Sequence, residues 1–229
     1  MREIERALDA AAFEAFKASL GGPIETRDQE LRRLAAGLPG PKTWIYLLRR
    51  AERPPTADEV GRIGGRPRGV DASAVPEGGD EAMTHVITLD LARMPGLAGV
   101  PRGARSVSLY LPDPEYGEDH ESGVLIWRRD DELAGDPGSI DDAYAIEVEA
   151  LEVPAAIFDG RAEGDLGRVR QMVYGSPGYA GGGPLWLQDG PEGADPDFLF
   201  QFDESLCAIN LGDCGVMYVV GGDVTWQCH

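Results

Sequence analysis

Apolar residues recur every four positions at the start of the chain. Ile4, Leu8, Ala12, Phe16 and Leu20, with Phe13 beside them, predict a helix over residues 3–20. Gly21, Gly22 and Pro23 end it. Thr26 followed by Gln29 has the spacing of a capping box, and Leu31, Leu34 and Leu38 line one face of a second helix that Gly40-Pro41 stops. Each amphipathic helix must lie on something apolar, and the domain's own sheet is the simplest partner. The period then changes to two. Strands are expected over 43–48, 86–91, 106–111, 124–127, 143–153, 185–188, 198–202, 216–220 and 224–227, with a short helix over 165–173. Glycine, proline and acidic clusters separate them.

Features also recur in order. Gly64-Gly65-Arg66-Pro67, the stretch His85 to Asp90 and the strand Ser106 to Leu111 come first. Gly181-Gly182-Gly183-Pro184, the stretch Phe198 to Asp203 and the strand Val216 to Val220 follow. This order predicts a duplication. The expected fold class is α+β: two N-terminal helices, then a mainly antiparallel sheet built from two similar halves. A single domain over residues 1–229 would comprise a helical N-terminal segment (residues 1–42), a first half (residues 43–160) and a second half (residues 161–229).

Charge changes the picture of function. The 229 residues carry 40 acidic and 21 basic side chains, a net charge of -19. Residues 1–70 hold 13 basic against 10 acidic side chains, whereas residues 71–229 hold 8 against 30. No Lys or Arg follows Arg170. Such a field opposes phosphate backbones and favours a basic protein partner, so no nucleic acid is expected. No apolar run spans a bilayer, and residues 1–20 are too charged for a signal peptide, so no membrane partner and a cytoplasmic location are expected. The abundance of Arg over Lys, 19 against 2, also fits GC-rich coding with acids as solvating surface.

Few groups point to catalysis. Cys207, Cys214, Cys228 and His229 lack the close ligand pairs of structural zinc, so reduced, buried, metal-free thiols are expected. The acidic segment Asp113, Glu115, Glu118, Asp119 and Glu121 does not follow a calcium-loop pattern. Pro177 after Ser176 removes the N–H that a nucleophile elbow needs, and no thiol has His85, His120 or His229 beside it in sequence to act as a base, save the terminal pair Cys228-His229, whose side chains would point to opposite faces of a strand. Gly64-Gly65 and Gly181-Gly182-Gly183 each lead toward proline, which suits a tight turn more than a phosphate loop. No cofactor and no catalytic residue are therefore assigned. Gln201 alternates with Phe200 and Phe202 and must face away from them. A ligand pocket formed by Trp186, Gln188, Gln201, Asp203 and Asp213 is the candidate site.

Five stretches together resemble the YwqG-like family of bacterial proteins of unknown function. They are Arg62 to Pro67, Gly182 to Gln188, Phe198 to Asp203, Gly212 to Tyr218 and Trp226 to Cys228, and the similarity spans residues 43–229. Thr88 stands where the family usually has Gln, and the segment Pro112 to Ser122 is foreign to the pattern. The resemblance implies an α+β protein with no established enzyme activity. Its members' genes lie near those of secreted toxins, which implies an immunity protein neutralising a basic toxin. The expected function is thus that of a cytosolic, non-enzymatic protein-binding protein. The alternative is a small-molecule binder or enzyme using the Trp/Gln/Asp pocket.

Overall fold

The computed structural model describes residues 27–71, 74–78, 81–112, 122–160, 162–188, 190, 197–212 and 214–228. The first expected helix, the acidic segment 113–121, His120, Asp213 and His229 lie outside them. Among the described residues twelve strands run in order: β1 (Lys42–Arg50), β2 (Arg62–Arg66), β3 (Glu77–Gly78), β4 (Glu81–Ala82), β5 (Thr84–Asp90), β6 (Ser106–Leu111), β7 (Val124–Arg128), β8 (Ser139–Pro154), β9 (Gly178–Ala180), β10 (Phe198–Asp203), β11 (Val216–Val220) and β12 (Asp223–Gln227). Four short helices stand among the described residues: α1 (Arg27–Gly37), α2 (Asp130–Leu133), α3 (Gly164–Tyr174) and α4 (Glu204–Cys207).

Ten strands form one sheet in the order β12-β11-β10-β9-β1-β8-β2-β5-β6-β7, and every neighbour pair is antiparallel. The sheet curls until its edge strands β7 and β12 touch. A Cβ on Gly123, just before β7, would lie 3.1 Å from the Val224 methyls of β12. The described residues thus form a nearly closed barrel of ten strands. This corrects the α+β class with two N-terminal helices and duplicated halves. The chain is mostly antiparallel sheet, and the expected halves do not form separate units. β1 and β8 both come from residues 43–160, yet β1 pairs with β9 on its other side and joins the two regions in one sheet.

Alternation along β1 explains the layers. Tyr46 and Leu48 point into the barrel with Ile63, Ile87, Leu109, Phe200 and Met217. Ile45 and Leu47 point outward and meet Leu31, Leu34 and Ala35 of α1 and Val169 and Val173 of α3. Burying a large aliphatic side chain of this kind contributes about 1.5–3 kcal/mol. Lys42 secures α1 by donating to the carbonyls of Leu38 (2.7 Å) and Ala35, orphans at the helix's C-terminal end.

The expected strands recur at 42–50, 84–90, 106–111, 124–128 and 139–154, with 198–203, 216–220 and 223–227 on the other side of the sheet. Four strands, β2, β3, β4 and β9, were not expected, and glycine hides β2 and β9. β2 contains Gly64 and Gly65, at φ +67 and +61, and a Cβ on either would sit 2.6 or 2.7 Å from a carbonyl oxygen of β8. Glycine here lets two paired strands approach across a bulge. No helix among the described residues is long and apolar enough to cross a membrane.

Candidate functional site

The segment 185–188 is not a strand, although its short apolar run was expected to form one. Its backbone donors are taken by side chains instead. Leu185 N donates to Gln201 Oε1 (2.9 Å), Leu187 N to Tyr218 Oη (2.8 Å) and Gln188 N to Gln227 Oε1 (2.9 Å). One acceptor comes from each of β10, β11 and β12, so the segment crosses these three strands as a strap. Gln201 is 2% exposed and also accepts from Tyr179 Oη at 2.8 Å. It faces away from Phe200 and Phe202, which lie in the barrel interior. Such polar satisfaction is what a buried amide requires.

The strap sets Trp186 on Tyr218, with ring centroids 4.5 Å apart. Trp186 and Leu187 then form one wall of a cleft of about 540 Å³, opposite Glu163, Arg170, Gln171 and Tyr174 of the α3 region. Tyr174 also walls a second cleft of about 330 Å³, with Asp203, Glu204, Ser205 and Cys214. Both clefts therefore border one residue at the end of α3. Asp203 Oδ1 accepts from Ser205 N (2.9 Å) and Ser205 Oγ (2.5 Å), and Glu204 Oε1 accepts from Leu211 N (2.8 Å). Burial raises the Tyr174 phenol pKa, and the nearby Asp203 and Cys214 raise it further, so the phenol stays neutral.

Of the five expected site residues, Trp186 and Asp203 reach this pair of clefts. Gln201 lies beneath the strap as a fastener. Gln188 fastens it at the other end, donating from Nε2 to Cys228 O at 2.6 Å. Asp213 lies outside the described residues. Sequence reasoning missed Tyr174, Glu163 and Arg170, whose only signal was their place at the ends and on the polar side of an expected short helix. It also expected all three thiols to be buried. Cys207 is, Cys228 is partly covered, and Cys214 is exposed.

Chemically the clefts suit a cation. Their linings combine the carboxylates of Glu163, Asp203 and Glu204 with the Arg170 guanidinium, and the Arg27 guanidinium, which donates to Met172 O, lies against Gly175 at the second cleft. Arg170 Nη1 is committed to Ile157 O at 2.6 Å. An indole face beside carboxylates attracts guanidinium or ammonium groups. Among the described residues no histidine borders either cleft, so neither thiol nor hydroxyl has an imidazole base there. No group of three potential metal ligands occurs among the described residues. No protein-family model matches the chain, and no curated protein matches it.

Proposed function

We propose that this protein binds a basic segment of another protein along the Trp186–Tyr174–Asp203 clefts, inside the cell and without catalysis. The observation that carries this reading is the adjoining pair of clefts, with aromatic walls and three carboxylates, in a region whose sequence has no cation after Arg170. Electrostatic attraction brings the partner in, and the indole and carboxylates select it. An immunity protein that covers the basic surface of a toxin is the biological form of this activity, in keeping with the resemblance to the YwqG-like family.

The test is a titration of the full chain with an Arg/Lys-rich peptide and a Glu-rich control at about 0.15 M salt, where the Debye length is about 8 Å. Binding of the cationic peptide alone, weakened by Trp186→Leu and by Glu163→Gln, is the expected result. Equal binding by both variants and the wild type overturns the assignment to these clefts. A second reading rests on the Trp186–Tyr218 stack, a prebuilt aromatic wall within a cleft large enough for a small metabolite. A peptide that fails to bind while a planar cationic small molecule does favours that reading.

A further inference from the structure

The two clefts differ in composition. Among the described residues that line the larger one, Glu163 is the one carboxylate and Arg170 the one guanidinium, so its charges balance. Trp186, Leu187 and Tyr174 supply apolar wall, and Gln171 adds an amide. The indole is held from two sides. Tyr218 backs it, with ring centroids 4.5 Å apart and planes at 34°. Gly190 abuts its pyrrole ring, where a Cβ would lie 2.4 Å from Nε1 and 2.7 Å from Cδ1. The strap fixes the backbone before and after it, through Leu185 N and Leu187 N. Trp186 is therefore a half-buried, immobilised wall of the cleft. Among the described residues Glu163 makes no ion pair, which leaves its carboxylate for a ligand.

We infer that the larger cleft is an arginine subsite, which takes a guanidinium group of the basic partner segment in preference to a lysine. The inference rests on the reading of the clefts as a groove for such a segment. An ammonium is compact and strongly hydrated. On entering this cleft it would exchange its water for a single carboxylate, with Arg170 as a like charge in the same lining. A guanidinium is planar and weakly hydrated, so it gives up less water and lays its face on the indole. Its fork of N–H donors suits the Glu163 carboxylate and the Gln171 amide oxygen, two acceptors in one cleft. Arg170 stays on the wall, because its Nη1 donates to Ile157 O at 2.6 Å. The smaller cleft, with two carboxylates and no indole, accepts either cation. Trp186 is thus the residue that sets the preference.

The experiment titrates the full chain with an all-arginine peptide and an all-lysine peptide of the same length and charge. Equal charge removes the general attraction from the comparison. The arginine peptide is expected to bind about tenfold more tightly. Citrulline keeps the planar shape without the charge, and in place of one arginine at a time it should at one position remove most of that advantage. Salt should weaken both peptides and leave their ratio nearly unchanged, because a contact inside the cleft is screened less than the long-range field. Trp186→Leu removes the indole and Gly190→Ala displaces it, neither with a change of charge, and both should bring the ratio toward one. Equal affinity of the wild type for the two peptides overturns the subsite and leaves the groove standing. Binding of neither overturns the groove and the subsite with it. A ratio that survives in both variants overturns the role of Trp186, and citrulline peptides that all bind as tightly as the arginine peptide overturn the assignment to a guanidinium.

Discussion

Two buried tyrosines define the contrast between the wings of this barrel. Tyr218 on β11 and Tyr110 on β6 both point outward from strands one place inside a sheet edge. Tyr218 Oη accepts from Leu187 N and donates to Leu185 O at 3.3 Å. Tyr110 Oη has no partner among the described residues, and Ser106 Oγ and Arg62 Nε on the same wing share that state. In one wing a strap crosses the strands and matches their polar groups one for one. In the other, a buried chain runs from Ser108 through Thr88 to His85, with separations of 2.7 and 2.8 Å. Polar groups are buried in both, so burial alone does not distinguish them. What differs is whether the covering segment supplies partners. Completed networks fix a fold, whereas incomplete ones leave the desolvation of a buried polar group uncompensated.

The largest expected effect comes from His85. Its Nδ1 lies 3.0 and 3.1 Å from the carbonyls of Gly64 and Gly65, which only accept, so Nδ1 carries the proton and Nε2 accepts from Thr88. Burial lowers its pKa to about 4. In the unfolded chain it returns to about 6.5. Between these values the unfolded state binds more protons, so stability is fully present above pH 6.5 and falls as pH drops toward 4. The total loss is about 3 kcal/mol. Urea midpoints for wild type and His85→Gln across this window check it. The variant's pH slope should be shallower, and equal slopes contradict the assignment.

Gln201 should rank next. Gln201→Leu leaves Leu185 N without its acceptor and removes one of the two acceptors that share the single Tyr179 Oη proton, the other being Gly183 O at 2.7 Å. The expected cost is about 2 kcal/mol, seen as a lower denaturation midpoint. A neutral result would mean that the strap holds without its central fastener, and the contrast between the wings would weaken. Tyr110→Phe should do the opposite on the other wing, with a gain of at most about 1 kcal/mol in chloride buffer.

Much of the strand pattern was legible because alternation survives where one face meets the barrel interior, as in 106–111, and an apolar run marks a strand buried on both faces, as in 216–220. β2 and β9 were not, because Gly64, Gly65 and Gly178 carry no side chain to mark a face. The strap misled for the converse reason. Its Leu185–Trp186–Leu187 run is as apolar as that of a buried strand, but side chains of three strands replace the ladder, and nothing local records that. Closure of the sheet was also invisible, since it depends on β7 and β12 meeting at Gly123 and Val224, residues far apart in the chain. Trp186 was a candidate from within an expected strand, and Asp203 from the position just after one. Tyr174 required α3 to be set against both.

The smallest effect on stability, and the sharpest on function, is expected at Asp203. Its carboxylate caps α4 through Ser205 N, with Asp203 itself in extended backbone at φ -103. Serine caps a helix about as well as aspartate does, so Asp203→Ser should change stability by no more than about 0.5 kcal/mol, whereas Asp203→Ala should cost about 1 kcal/mol. The two variants remove the same charge from the groove. If the groove recruits a basic segment, both should weaken binding of the Arg/Lys-rich peptide equally, and the loss should shrink as salt screens the field. If binding instead follows stability, only Asp203→Ala should be affected, and the role of Asp203 reduces to capping. Parallel melts and titrations of the two variants therefore separate its structural contribution from its electrostatic one.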